Sequence, residues 1–385
     1  MVHVPTRGDV PVRLGPGVAQ LPGHGPSTMP SDVYTDPVRF ELERERVLAT
    51  HWIIAGRSEK IQDPGDWLTF EGHGETIVVT RQPDGSLASF HNVCQHRGPA
   101  IVGELAGCGA RRFTCPYHGW VYDTTGLLVG VPEREDFDEA HLEGLRSPAV
   151  AADEWGGWVW INLAGPDDAE PLMEAIGEAI SVDLGQYRME DMILDDVLEW
   201  DVPVSYKAIV DGFNEIYHTK QLHGVDAAWV KAARSTSFHI EGDNYMCFVP
   251  RADRLDAIVD DPDHHKHAIC HYVVFPNTIF NCNPEHIQVF NPIPIDVDRT
   301  KFLCWQLIYP GDLADPEYAE YHARTMKHWE RLKQVVAEDI EIYEQLERTK
   351  RSSGYTRHVL NEREGKIAHY HENMDRKIQQ DPAND

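Results

Sequence analysis

Two pairs of residues in the first third of the chain have the makings of a metal site. Cys94 and His96 stand in the run His91-Asn-Val-Cys-Gln-His-Arg-Gly-Pro99. Cys115 and His118 stand in Phe113-Thr-Cys-Pro-Tyr-His-Gly-Trp120. Each pair puts one thiol and one imidazole on a tight turn, and residues 97–114 separate the pairs. Two Cys with two His suit a structural zinc ion as well as iron, so ligand type alone leaves the metal open. Cys108 lies between the pairs without a His at turn spacing and reads as a neighbouring free thiol. His91 reads as a strand-edge histidine.

A second constellation is Asp211-Gly-Phe-Asn-Glu215-Ile-Tyr-His218-Thr-Lys-Gln-Leu-His223. The spacing predicts a helix from Ser205 to about His223, with Asp211, Glu215 and His218 on one face. His223, five residues past His218, falls about 140° away on an ideal helix. Both rings reach one metal only if the helix breaks or takes a π-like turn between them. Two histidines on different faces of a surface helix are the plain alternative. Far downstream, Asp339 in Val335-Val-Ala-Glu-Asp-Ile-Glu-Ile-Tyr343 sits on the apolar stripe of a long helix. A carboxylate there is costly unless it faces a cation or a partner. Glu338 is the competing carboxylate, with a phase pointing more toward solvent.

The elements that must position these groups follow from pattern. Residues 1–30 hold many Gly and Pro and read as an irregular arm, followed by a helix entered at Asp36-Pro37. Short strands broken by Gly, Pro and Asp fill residues 52–165, among them Thr76–Thr80 and Leu87–Phe90 around the turn Pro83-Asp84-Gly85. Leu172, Ile176 and Ile180 recur at helical spacing. Tyr272–Phe280, Ile287–Phe290 and Lys301–Tyr309 read as strands of an antiparallel sheet. Asp315-Pro316 then caps a long amphipathic helix through Tyr318, Tyr321, Met326, Trp329, Leu332, Val336, Ile340, Tyr343 and Leu346. The tail from Met374 is polar and reads as frayed. Asp263-His-His-Lys-His267 reads as a solvated surface turn.

Composition narrows the function classes. Lys and Arg number 35 against 63 Asp and Glu, a net charge of −28 over 385 residues, which argues against nucleic acid and anionic membranes as partners. An apolar share of 42% with 25% charged fits a globular protein with an ample core. No apolar run is long enough for a membrane span. The N-terminus has no secretion signal, and seven scattered Cys make no disulfide framework, so the expected location is cytoplasmic.

The first constellation resembles the Rieske signature, Cys-x-His followed by a Cys-Pro-Tyr-His-Gly-Trp box, with a spacer slightly longer than usual. The resemblance implies a [2Fe–2S] cluster with Cys94 and Cys115 on one iron and His96 and His118 on the other, neutral imidazoles raising its potential. The second constellation is similar to the mononuclear iron motif of Rieske non-haem iron oxygenases, alpha (terminal oxygenase) subunits of the aromatic-ring-hydroxylating type. It implies His218, His223 and Asp339 as a facial triad on Fe(II). It also implies that Glu215 holds the ring of His218 and accepts a hydrogen bond from His118 of a neighbouring chain, with Asp211 a further catalytic-site residue. Glu347-Arg-Thr-Lys350 departs from the Gln-x-Gly of relatives, which puts the loop there in doubt and leaves Asp339 in place.

The implied fold is α+β: an arm and helix over 1–45, a small all-β Rieske domain over 46–165, and an α+β catalytic domain over 166–385 whose curved antiparallel sheet is covered by helices. The implied function is a terminal oxygenase. A reductase, with or without a ferredoxin, would bring it electrons from NAD(P)H to activate O2 and hydroxylate a small organic substrate, an aromatic one by this reading. The alternatives are O- or N-demethylation or oxidation of a quaternary amine. Outside enzymes, a Rieske electron carrier or a zinc-stabilised binding module would carry the first constellation alone. A homotrimer is implied, with a small β subunit possible. Gly212, Phe213, Thr219, Phe275 and Phe280 are candidates for the substrate pocket by position, although aromatic residues are more often plain core.

Overall fold

The computed structural model describes residues 19–20, 26–227, 229, 237–250, 264–266 and 268–380. The chain divides into two compact units, Leu48–Leu172 and a second built from residues 1–47 with 173–385.

The smaller unit is a pair of antiparallel sheets. Seven strands run in the order Ile53–Arg57, Trp158–Asn162, Ala149–Trp155, Leu87–His91, Glu75–Arg81, Trp67–Gly72, Ala106–Gly107, and three more in the order Leu128–Gly130, Val121–Asp123, Arg112–Thr114. Thr76–Thr80 and Leu87–Phe90 lie within paired strands as expected, and Gly85 takes the left-handed conformation (φ 87°) that their turn requires. Trp67, Phe90, Phe113, Trp120 and Tyr122 form a buried core together with Cys94 and Cys115. Burial of the aromatic rings fixes the loops that carry the two thiols.

In the larger unit, eight antiparallel strands run in the order Ala19–Gln20, Ser237–Glu241, Asn244–Pro250, Ala268–Val274, Thr278–Cys282, His286–Asp296, Arg299–Ile308, Ile193–Val202. Among the described residues, the α-helices are α1 (Pro37–Glu43), α2 (Leu172–Ile176), α3 (Glu178–Leu184), α4 (Tyr206–Phe213), α5 (Thr219–Leu222), α6 (Pro316–Thr349) and α7 (Gly365–Gln379). Asp315 caps α6 by accepting the N–H of Glu317 at 2.8 Å. Tyr318, Tyr321, Trp329, Val336 and Tyr343 make its buried stripe.

Several expectations need correction. The single helix expected across Leu172–Ile180 is broken at Gly177 (φ 87°), and the Glu241 carboxylate accepts the N–H groups of Ala179 and Ile180 to start α3 afresh. Tyr272–Phe280 is two strands joined through Phe275–Asn277. Ser27–Pro30 is a strand paired with Arg357–Leu360, whereas residues 1–18 and 21–25 of the expected arm lie outside the described residues. The tail from Met374 continues α7 to Gln379, with Met374 fully buried. In the Asp263–His267 tract, His265 is buried against the edge of Tyr187 rather than solvated, while 263 and 267 lie outside the described residues.

Candidate metal centres

The loops bearing the two Cys/His pairs share one backbone design. In the first, the N–H of Gly98 bonds the carbonyl of Cys94 at 2.9 Å and the N–H of Cys94 bonds that of Pro99 at 2.9 Å. In the second, Gly119 bonds Cys115 at 3.1 Å and Cys115 bonds Trp120 at 2.8 Å. Both closing glycines have positive φ, 85° and 72°, so each turn needs its glycine. The repeat brings the thiols of Cys94 and Cys115 within hydrogen-bonding reach of each other and sets the His96 and His118 rings 4.5 Å apart. Burial, ahead of the neighbouring Cys94, pushes the Cys115 thiol up. The Tyr122 hydroxyl donates to Sγ of Cys94 at 3.3 Å, and Trp120 stacks on His96 at 4.8 Å. Nδ1 of His96 is buried with no hydrogen-bond partner among the described residues. Two reduced thiols beside two imidazoles, one with an orphaned nitrogen, fit a metal cluster.

The second constellation lies in the larger unit. The helix breaks earlier than the ligand spacing suggested. α4 ends at Phe213, so Glu215 and His218 do not share a helix face with Asp211, and α5 covers only Thr219–Leu222 between the two histidines. Freed from helical phase, His218 and His223 turn toward α6. Their Nε2 atoms lie 3.8 and 3.3 Å from Oδ1 of Asp339. The ligand atoms of His218, His223 and Asp339 all lie within 4.8 Å of one another. The close approach of α4 to α6 depends on Gly212, where a Cβ would stand 2.3 Å from the Tyr343 hydroxyl.

Each histidine is held from behind. Nδ1 of His218 bonds Glu215, whose other oxygen accepts the N–H of His218 at 3.2 Å. Nδ1 of His223 bonds Glu338 at 2.7 Å. Glu338, the competing ligand by sequence, therefore orients a ring. Its carboxyl is held below the usual range by His223, then by Arg331. Burial pushes the Asp339 carboxyl up to about 6 against the pull of both imidazoles. Burial opposes charge on His218, and the Glu215 bond overcomes it to raise that ring. With Nδ1 occupied on both rings, Nε2 is the ligand atom each can offer. Three converging atoms around an uncompensated carboxylate fit a divalent ion.

Asp211, expected from the resemblance as a further site residue, has partners of its own. Its carboxylate bonds the Tyr34 hydroxyl and Nε2 of His371 (2.8 Å) and is not among the converging ligand atoms. Asp211 ties α4 to α7 and to the segment before α1. Neither Tyr34 nor His371 carried a sequence signal, because their pairing with Asp211 is long-range. Asp211 does line, with Gly212, Glu215, His218 and Asp339, a cavity of about 230 Å³. Phe213 packs on Phe290 (4.4 Å), whereas Phe280 is buried in register with Tyr272 and Val289. Cys108 is exposed, and His91 pairs with Glu75 at 3.1 Å.

Two family models match the two parts of the chain that carry the constellations. Residues 51–146 match the family described as Rieske [2Fe-2S] domain, and residues 189–380 match that described as ring hydroxylating alpha subunit (catalytic domain). The chain is 27% identical over 289 residues to the carnitine monooxygenase oxygenase subunit of Acinetobacter pittii, covering 71% of this chain and 73% of that one. It is 34% identical over 207 residues to the benzene 1,2-dioxygenase subunit alpha of Pseudomonas putida, covering 50% of this chain and 44% of the relative. Among solved structures, the quaternary ammonium Rieske monooxygenase CntA in complex with L-carnitine superposes with a TM-score of 0.76 at 22% identity, over 91% of this chain and 96% of that one. The naphthalene 1,2-dioxygenase of a Rhodococcus species superposes at 0.72 with 18% identity, over 92% and 95%. No helix among the described residues is long and apolar enough to cross a membrane.

Proposed function

Since the chain belongs to the Rieske non-haem iron oxygenases and is a terminal oxygenase subunit, we propose that His218, His223 and Asp339 hold its mononuclear iron and that Cys94, His96, Cys115 and His118 hold its [2Fe–2S] cluster. The observation that carries the assignment is the convergence of three ligand atoms within 4.8 Å while both imidazole Nδ1 atoms are engaged by carboxylates. Bound there, ferrous iron supplies open coordination positions for the reduction of O2 beside the substrate.

The protein's own groups do the positioning. Glu215 and Glu338 fix the tautomer of each ring, so that Nε2 is a lone-pair donor and Nδ1 keeps the proton. Asp339, in a mostly buried setting, contributes the one negative charge of the triad and so favours a divalent ion over a neutral occupant. Glu215 is mostly buried, and its neighbour Tyr217 is exposed. We assign to Glu215 the contact with His118 of a second copy, in a homotrimer that needs no β subunit. Electrons come from a reductase, with or without a ferredoxin, and the substrate is a small organic molecule. The relative matched over nearly three quarters of both chains favours monooxygenation of a quaternary amine, and aromatic ring dihydroxylation is the second reading. A cytoplasmic location goes with this role.

The test is His218→Ala. The expected protein keeps the visible spectrum of the cluster and two irons per chain, loses the third, and forms no hydroxylated product from any substrate the wild type accepts. Full iron content, or product formation in that variant, removes the triad assignment.

A further inference from the structure

Gly212 and Tyr343 form a matched pair where α4 meets α6. A Cβ at 212 would collide with the Tyr343 oxygen, yet Cζ, the ring carbon that carries this oxygen, stands 3.5 Å away, an ordinary contact. Phenylalanine at 343 would therefore admit alanine at 212. Alanine is the better residue inside a helix, because glycine loses more backbone freedom on folding. The glycine makes room for the hydroxyl, not for the ring.

The hydroxyl returns nothing to the fold. Tyr343 is buried, and its O–H makes no hydrogen bond to another described residue. A buried O–H is unfavourable to keep unpaired unless a partner arrives. Burial, and then the charges of Asp339, Asp211 and Glu215, push its pKa well up, so it stays a neutral phenol able to donate. Tyr343 follows Asp339 by about one turn of α6, and both line the cavity that His218, Glu215 and Asp211 also line. Among the described residues three hydroxyls line that cavity. Tyr34 bonds Asp211, and Tyr355 pairs with Nδ1 of His358 at 2.6 Å. The Tyr343 hydroxyl is the one left to donate.

We propose that the Tyr343 hydroxyl is a catalytic hydrogen-bond donor to O2, steadying the negative charge that O2 takes on as it is reduced beside the triad. A fixed donor aimed where charge develops is worth most in a site that excludes water. Gly212 is the positioning residue that keeps the space the hydroxyl occupies. The inference rests on the triad proposed above and adds a residue to it.

Anaerobic titration of the ferrous holoenzyme with nitric oxide, read by electron paramagnetic resonance, tests the assignment. Nitric oxide takes the open position that O2 would take and accepts the same hydrogen bond without turnover. Tyr343→Phe is expected to weaken its binding about fivefold, with iron and sulfide at wild-type content. Gly212→Ala, which drives the hydroxyl from its place, is expected to weaken it about as much. The double variant Gly212→Ala/Tyr343→Phe should bind nitric oxide as Tyr343→Phe does and melt no lower, since alanine then fits. A phenol that only packs α6 on α4 would move the melting temperature and leave nitric oxide affinity alone. Unchanged affinity in Tyr343→Phe therefore overturns the proposal, and a further loss in the double variant overturns the role of Gly212. No nitrosyl signal from wild type holding three irons, or a third iron that persists in His218→Ala, removes the triad reading instead. If Gly212→Ala fails to fold, Tyr343→Phe and the double variant still decide.

Discussion

The two proposed metal centres are built by opposite strategies. In the small unit each ligand pair sits on its own turn, closed by a glycine and by two backbone hydrogen bonds that repeat from one loop to the other. In the large unit the two histidines lie on a segment that has left its helix, and the third ligand comes from the middle of α6. Local backbone shapes the first centre. Carboxylates behind the rings, and the approach of two helices at Gly212, shape the second. The consequence is a difference in fragility. A turn that orders its own ligands tolerates remote changes, whereas a triad gathered over long range depends on groups that never touch the metal.

Glu338→Gln gives the largest expected separation of the two centres. The variant keeps the side-chain shape and loses the charge that fixes Nδ1–H of His223. Affinity for the third iron is expected to fall by about 10- to 100-fold. The cluster's visible spectrum and sulfide content should stay unchanged. Iron retention during dialysis against a chelator reads the effect. Unchanged retention would mean that the triad orders itself, and the contrast with the cluster loops would vanish.

What the sequence disclosed follows the same division. Cys94, His96, Cys115 and His118 were legible because their geometry is local, as was α6, whose cap and stripe are both short-range patterns. The end of α4 was not. Asp211, Glu215 and His218 have helical spacing, yet the chain stops being helical after Phe213, and the one glycine near the break, Gly212, lies inside α4 rather than beyond its end. The partners of Glu338 and Asp211 are illegible in the sequence for a related reason. A carboxylate's partner across a hundred or more residues, such as His223 or His371, is set by packing and leaves no mark on periodicity. Met374 was read as tail because α7 is polar on average, and its buried face appears once it packs.

A second contrast concerns acid. His73 in the small unit is fully buried, and desolvation pushes its pKa down to about 3. The folded value lies below the unfolded value of about 6.5, so the unfolded chain takes up a proton that the folded unit refuses. Stability is therefore lost as pH falls from about 6.5 toward 3, by roughly 1.4 kcal/mol per pH unit from this residue. Urea titrations of the full chain followed by cluster absorbance, at pH 7 and pH 5, should show that slope, and His73→Leu should flatten it. A triad-based signal is the control, since His73 belongs to the other unit.

The smallest expected effect probes the cluster loops directly. The Tyr122 hydroxyl donates to Sγ of Cys94 at 3.3 Å and also accepts the N–H of Gln95 at 2.9 Å. A hydrogen bond to a cluster-bound thiolate stabilises the more electron-rich, reduced state. Tyr122→Phe removes it and should lower the reduction potential. If the differential stabilisation is about 1 kcal/mol, the shift for a one-electron couple is about 40 mV. Because the loop is held by its own backbone bonds and glycine, cluster content should not change. Protein-film voltammetry gives the potential, and sulfide analysis gives the occupancy. A large loss of cluster would show that the turn relies on a remote side chain after all, placing it beside the triad rather than opposite to it. An unchanged potential with full occupancy would mean that the hydroxyl serves the Gln95 backbone and not the sulfur.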